Sequence, residues 1–387
     1  MKIIVNRNEL WKGIDTVFDA VPAKPAMPIL ANLLLKADNQ GLTLIATDLD
    51  ISIRTKIPAK VSEEGSITVP ARTFAGITRE WPETDITIEE KEERILLSGK
   101  LGVEEEEGAY SLSGMLPEEF PEMPTSLEGF GISFEKEGKL EGQLVADMIN
   151  KTAFAVSRDE TRPVLNGVVW QIDSAGMEMV ATDGHRFARV HRSIDLKDQI
   201  QDQDKAEVIL PPQVCGHLVK LLGGEHTLEK ATLSETQVLF DLGDTQLLSR
   251  IIEGPYVEYS SVVPKQNDKI LKLSKEKLLP AVRRVSILSS SYTHQIRMCL
   301  RPHTLELSAN SQEIGGEARE VISVTYEEEE LEIGYNANYL MEILRKIDSS
   351  EVVFELSNSV TAALLRPGDS PEGEDYFCLL MPLRPSG

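Results

Sequence analysis

Apolar residues recur along this chain in two rhythms, and the rhythms alternate in the same order three times. Spacing of three to four residues marks amphipathic helices over Asn8–Val21, Leu144–Arg158 and Lys275–Leu288, because it brings apolar side chains onto one helical face. Alternate spacing marks strands, whose side chains point to opposite faces in turn. The clearest strand phrase is Leu42-Thr43-Leu44-Ile45-Ala46-Thr47-Asp48. Met177-Glu178-Met179-Val180-Ala181-Thr182-Asp183 repeats it closely, and Leu305-Glu306-Leu307-Ser308-Ala309-Asn310 loosely. A second helix follows in each copy, over Ala71–Trp81, Pro212–Leu222 and Asn336–Ile347. Strand pairs come next: Asp85–Glu89 with Arg94–Ser98, Ala231–Ser234 with Gln237–Leu242, and Val352–Leu356 with Val360–Leu365. Each copy closes on a strand, at Ala109–Ser113, Gln246–Ile251 and Tyr376–Met381. Pro280, inside the third leading helix, predicts a kink or a later start there.

The copies lie about 130 residues apart, too long for a solenoid repeat and suited to duplication of a whole domain. Pro117, Pro121, Pro124 and Gly129 break regular structure over Leu116–Phe130, and Glu253–Asp268 is the second candidate linker. The expected domains are 1–126, 132–258 and 264–387. The expected class is α+β, with two helices per repeat packed on antiparallel sheets.

Composition refines this picture. With 387 residues, 41% of them hydrophobic, the chain can build several cores. Lys2-Ile3-Ile4-Val5 reads as a strand rather than the start of a signal segment, and no apolar run has the length of a membrane span. Cys215, Cys299 and Cys378 show no C-x-x-C spacing and read as incidental thiols of a reducing cytoplasm. The net charge of −23 is hostile to nucleic acid as a total. Its distribution is not uniform: five of the six predicted helices are net positive, while Glu104–Glu107 and Glu327–Glu330 concentrate acid elsewhere. Two readings fit, ordinary surface charge or a weakly basic helical face that attracts phosphates without gripping them.

Thr182-Asp183-Gly184-His185-Arg186 places acid, imidazole and guanidinium together. An enzyme would use His185 as a base oriented by Asp183. A hairpin turn would use Asp-Gly for its backbone geometry. No phosphate-binding glycine loop is present, and the histidines at 185, 191, 217, 226, 294 and 303 show no metal-binding spacing. No metal ligand or cofactor is expected, and the hairpin reading of these residues is favoured over a catalytic one. The apolar end Leu379-Leu380-Met381-Pro382-Leu383-Arg384-Pro385 is either a capped edge strand or one wall of an adaptable apolar groove. A DNA-binding or repair scaffold and an enzyme centred on Asp183 and His185 remain the alternatives at this level.

The chain resembles, end to end, the bacterial DNA polymerase III β subunit family, the sliding clamps. The resemblance rests on Ala181-Thr182-Asp183-Gly184-His185-Arg186, Pro28-Ile29-Leu30-Ala31-Asn32-Leu33-Leu34-Leu35, Val69-Pro70-Ala71-Arg72, Leu165-Asn166-Gly167 and Met381-Pro382-Leu383-Arg384. It implies the DNA clamp fold: three-domain subunits joined head to tail as a homodimer, six domains in a ring around duplex DNA, helices inside and sheets outside. The implied function is a processivity factor that slides without reading sequence and tethers the replicative polymerase. The implied partners are double-stranded DNA, the clamp loader, and other polymerases and repair proteins carrying a clamp-binding peptide. The implied location is the cytoplasm, on the nucleoid.

The resemblance also implies sites. A hydrophobic partner-peptide groove would comprise Leu165, Thr182, Gly184, His185, Arg186 and Phe187, then Val257 and Val262, and Leu379, Met381, Pro382, Leu383 and Arg384. Facing DNA would be Lys12, Lys24, Arg72, Arg79 and Lys151, with Arg158, Arg162, Lys220, Arg284 and Lys346. The dimer contact would use Tyr110, Ile287 and Leu288. Val257 stands where a proline is common and Pro385 where a leucine is common. Pro163 and Val164 follow Arg162 where the family often has aromatics, and Arg366–Asp375 is a longer acidic loop than usual.

Overall fold

The computed structural model describes residues 1–102, 106–134, 140–200, 205–311 and 315–384. Glu104, Glu105 and Pro385, singled out above, lie outside the described residues.

The described helices are α1 (Arg7–Phe18), α2 (Ala71–Glu80), α3 (Gln143–Thr152), α4 (Pro212–Leu222), α5 (Lys275–Val285) and α6 (Ala337–Lys346). Asparagine starts two of them: the Asn6 side chain accepts from the Asn8 N–H, and the Asn336 side chain accepts from those of Asn338 and Tyr339. α3 stops earlier than its apolar periodicity predicts. Thr152 leaves helical geometry at φ −125°, its hydroxyl bonding back to the Met148 carbonyl, so Arg158 lies outside the helix. α5 starts at Lys275 and runs unbroken through Pro280. Of the kink or later start expected there, the later start does not occur; proline removes one N–H and the rest of the ladder carries the helix.

By compactness the chain forms two units. The first is drawn mainly from Met1–Gln143 and Gly216–Ile251, the second from Leu144–Asp198, Gln203–Cys215 and Ile252–Gly387. The first holds an antiparallel eight-stranded sheet. Its order is Phe130–Ser133, Lys230–Leu233, Gln237–Asp241, Thr245–Arg250, Ile51–Ile57, Gly41–Thr47, Asn32–Asp38, Gly65–Pro70. The second unit has one of matching design: Lys205–Leu210, Val168–Asp173, Gly176–Thr182, Arg186–Ser193, Glu374–Leu380, Ala363–Pro367, Glu351–Leu356, Lys269–Ser274. A five-stranded sheet in the first unit ends on Glu107–Ser113, and a four-stranded sheet in the second ends on Gly316–Ser323.

Each large sheet is completed by strands from two sequence repeats. Thr245 pairs with Thr55, their hydroxyls 2.7 Å apart, and Phe187 pairs with Leu379. The strand expected over Val360–Leu365 begins only at Ala363. Asn358 Oδ1 accepts from the N–H groups of Val360 and Thr361, each at 2.9 Å, and this side-chain turn holds Val360 out of the ladder.

Candidate binding groove

Thr182–Arg186 is a turn before it is anything else. Asp183 Oδ1 accepts from the backbone N–H groups of His185 (2.8 Å) and Arg186 (2.9 Å). The Thr182 hydroxyl donates to the Arg186 carbonyl at 2.7 Å and accepts from the Gly184 N–H at 3.1 Å. Gly184 sits at φ +88°, a conformation that glycine adopts without steric cost. Asp183 thus serves the backbone, and its second oxygen meets the Arg186 guanidinium at 3.1 Å. The His185 ring instead stacks on Tyr339, centroids 6.3 Å apart. This arrangement does not orient His185 as a base. Two of the three thiols offer no nucleophile either, since burial pushes Cys215 and Cys378 up to about 12, and burial with the Glu330 carboxylate also holds Cys299 above its ordinary value.

Beside the turn lies a groove of about 1050 Å³. One wall is the turn itself, with Leu165, Thr182, Gly184, His185, Arg186 and Phe187. The others come from the linker after Glu253, from the loop Ser357–Ala362, and from the last strand with Leu379 and Met381. Its floor is the buried cluster of Val169, Val180, Phe187, Ile209, Leu364, Phe377 and Leu379. Phe187 is the centre of the aromatic packing, 5.7 Å from Tyr259 and 5.8 Å from Phe377. Four exposed large apolar residues, Val257, Val262, Val360 and Met381, all line this one recess. Arg186 braces the wall: it pairs with Asp183 and Glu342 and lies over the Tyr339 ring at 4.6 Å.

Ten of the thirteen groove residues expected from the sequence line it. Pro382, Leu383 and Arg384 do not. The Leu383 N–H donates to the Gly334 carbonyl at 2.8 Å, which bridges the tail to the edge of the four-stranded sheet. Sequence reasoning missed Tyr259, Val263 and the polar run Lys265, Gln266 and Asn267, as well as the Ser357–Ala362 loop. The available signal was the linker's content of Tyr256, Val257, Tyr259, Val262 and Val263, apolar residues that a solvated connector does not need.

The cations expected to face DNA divide by environment. Lys24, Arg72, Arg79 and Arg158 are exposed with no ion pair among the described residues, and Arg79 lies over the Trp11 ring at 4.7 Å. Lys12 pairs with Glu225, Lys220 with Asp19 (2.8 Å), Arg162 with Asp159 (3.0 Å) and Arg284 with Glu320 (2.7 Å). Lys346 is half-buried. Lys151 corrects the expectation. It is only 6% exposed, held by Asp147 at 3.0 Å and Glu374 at 2.9 Å. Its position on the inward side of α3 buries the ammonium, and the carboxylates compensate it. Of the three residues expected at a dimer contact, Tyr110 and Ile287 are exposed. Tyr110 stands on the edge strand Glu107–Ser113, and Leu288 is half-buried.

Among the described residues no cluster of histidine, cysteine and carboxylate side chains is suited to a metal, and no helix is long and apolar enough to cross a membrane.

Three family descriptions match along the chain: DNA polymerase III beta subunit N-terminal domain over residues 1–124, central domain over 139–258 and C-terminal domain over 260–384. The beta sliding clamp of Pseudomonas aeruginosa is 31% identical over 99% of this chain and all of its own length. That of Chlamydia muridarum is 29% identical over 99% of both. A crystal structure of the P. aeruginosa DNA polymerase III subunit beta superposes with a TM-score of 0.89 at 29% identity, covering 99% of this chain and 100% of the other. The Bacillus subtilis sliding clamp structure does so at 0.87 and 26%, covering 100% and 99%. With fold, repeats and sequence in agreement along its whole length, this chain belongs to the bacterial DNA polymerase III beta subunit family, the beta sliding clamps.

Proposed function

We propose that the groove beside Thr182–Arg186 is where this clamp receives the peptides of its partners. As a member of its family the chain is a DNA polymerase processivity factor, a non-catalytic accessory subunit. Such a factor works by topology: a ring closed around the duplex needs no tight grip, and sequence-neutral phosphate contacts leave it free to slide. The remaining requirement is a place to hold polymerases. The observation that carries the groove assignment is the convergence of Val257, Val262, Val360 and Met381 on one recess. Apolar side chains exposed together mark a binding surface, and Arg186, His185, Lys265 and Gln266 supply polar contacts to fix an extended peptide.

The same reading divides the chain into three domains at 1–126, 132–258 and 264–387. It assigns Lys24, Arg72, Arg79 and Arg158 as the cations freest to meet phosphate, and it places the protein in the cytoplasm, on the nucleoid. It joins two subunits head to tail through Tyr110 of one and the Ile287–Leu288 segment of the other. The exposed edge strands Glu107–Ser113 and Gly316–Ser323 fit that contact, since unpaired edges invite strand addition. Replacing Ile287 and Leu288 together by alanine is expected to give a folded monomer by light scattering; a dimer persisting at micromolar concentration sinks the assignment. The groove is tested by fluorescence anisotropy with a labelled peptide carrying glutamine and two apolar anchors. Val360→Asp is expected to weaken binding at least tenfold, and unchanged affinity refutes the reading.

A further inference from the structure

The first unit holds a second recess, of about 690 Å³, on one face of its eight-stranded sheet. Strand register builds its floor. Lys36, Thr43 and Lys56 are direct cross-strand neighbours in one row, and Leu34, Ile45, Arg54 and Gln246 form the next. Direct neighbours share a face, so three cationic side chains crowd one small area. The linker after Met115 supplies an apolar wall, with Phe120 and Met123 packed against Leu34 and Ile45.

Arg54 is the informative residue. It is half-buried, and its guanidinium donates to the Gln246 side-chain oxygen. Gln246 is held in that orientation by Asp241 at 3.2 Å and the Thr125 carbonyl at 3.5 Å. Among the described residues no carboxylate comes within ion-pair distance of Arg54. The repeat shows what is different here. Counted from the shared Thr-Asp turn, Arg54 corresponds to Arg189 of the second unit. Arg189 is clasped by Glu178 at 2.5 Å and Asp375 at 2.7 Å. Where the second repeat carries Glu178, the first carries Thr43. A partly buried cation bonded to an amide, with Asp241 attracting it only from beyond ion-pair distance, has less compensation than a carboxylate in direct contact gives. Lys56 is also loosely held, with Asp38 at 3.7 Å and the Gln40 amide oxygen at 2.5 Å.

We propose that this recess is a second binding site, one that takes an acidic peptide. A peptide carboxylate seats against Arg54 and its lysine neighbours, and an adjoining apolar side chain rests on Phe120 and Met123. Asp38, Glu118, Glu122 and Asp244 also line the recess. These four carboxylates outnumber Lys36, Arg54 and Lys56, so attraction is confined to the floor around Arg54, a polyanion is repelled, and a nucleic acid backbone is the wrong occupant.

The test uses the full chain and a fluorescein-labelled, C-terminally amidated peptide Gly-Asp-Leu-Asp-Gly, whose two carboxylates suit the recess and whose single apolar anchor is too few for the groove of the second unit. Saturable binding is expected, weakened about tenfold or more by Arg54→Gln, because one charge-assisted hydrogen bond is worth roughly that factor. Thr43→Glu, which supplies the carboxylate present in the second repeat, is expected to block binding while keeping or raising thermal stability, and so holds the proposal open to test if Arg54→Gln misfolds. A peptide with asparagine for aspartate should bind as poorly as the variants. The inference stands apart from the groove of the second unit: Val360→Asp should leave the recess signal unchanged. Equal affinity in the wild type, Arg54→Gln and Thr43→Glu overturns the proposal. So does loss of binding in Val360→Asp, which moves the peptide to the other groove, and so does the absence of saturation at millimolar peptide.

Discussion

Thr47–Ile51 in the first unit and Thr182–Arg186 in the second are one turn built from two sets of residues. In the first, Asp48 Oδ1 accepts from the N–H groups of Asp50 (3.0 Å) and Ile51 (2.7 Å), as Asp183 does from His185 and Arg186. The Thr47 hydroxyl bonds the Ile51 carbonyl at 3.0 Å, as Thr182 does that of Arg186. Leu49 holds φ +84° where Gly184 holds +88°. The turns part company at their last residue. Ile51 is 2% exposed and ends in a core, whereas Arg186 reaches Glu342 and Tyr339 along the wall of a groove. The Thr-Asp pair is therefore a folding device, and the function lies in what the device holds out. The floors follow suit: Gln246, paired with Arg54 in the first sheet, stands where Phe377, paired with Arg189, stands in the second, so the first floor carries a polar row where the second is aromatic.

The largest contrast comes from the final positions. Ile51→Ala should cost about 2–5 kcal/mol as a buried truncation and leave the affinity of a groove peptide unchanged. Arg186→Ala should cost about 3–5 kcal/mol, by leaving the Asp183 carboxylate without its cation, and should also weaken the peptide at least tenfold. Urea unfolding with anisotropy separates the two, and equal peptide loss in both variants would erase the distinction.

The third positions give a smaller effect. Gly184→Ala should cost about 1 kcal/mol through its left-handed backbone. Leu49→Gly should stay within about 0.5 kcal/mol, because relief of that strain is offset by the flexibility glycine adds to the unfolded chain. A large loss in Leu49→Gly would mean that its side chain, not its backbone, secures the turn.

Acid should act on the first unit through His217 and His226, both held below the ordinary imidazole value by burial. A depressed folded value means the native state resists a proton that the unfolded chain accepts. Stability is then fully present above about pH 6.5 and falls as the pH drops below it. Replacing both residues by glutamine should flatten the melting temperature between pH 7 and pH 5, and a slope that survives assigns the acid response elsewhere.

The helix and strand order was legible because each repeat spells its periodicity in apolar side chains, and α4 falls on the predicted Pro212–Leu222. Boundaries slipped where a side chain competes with the backbone, as Thr152 does at the end of α3 and Asn358 before Ala363. Lys151 was misread because a sequence shows a charge but not the two carboxylates folded over it. The groove's turn wall was readable in Thr182–Phe187. Its linker wall was not, since Pro and Gly mark where a segment bends and say little about which apolar side chains it lays on a sheet.

The sheets also decide what a single repeat can do alone. The central family match, 139–258, gives one strand pairing to each neighbour: Thr245–Arg250 to Ile51–Ile57, and Arg186–Ser193 to Glu374–Leu380. Cutting the chain between repeats severs a covalent bond but leaves those ladders zipped, so a protease nick in Leu116–Phe130 should yield fragments that stay together until denatured. Expressing residues 1–124 alone does the reverse. It strips Ile51–Ile57 of its neighbour and presents a raw strand edge, the start of an aggregate rather than a free-standing module.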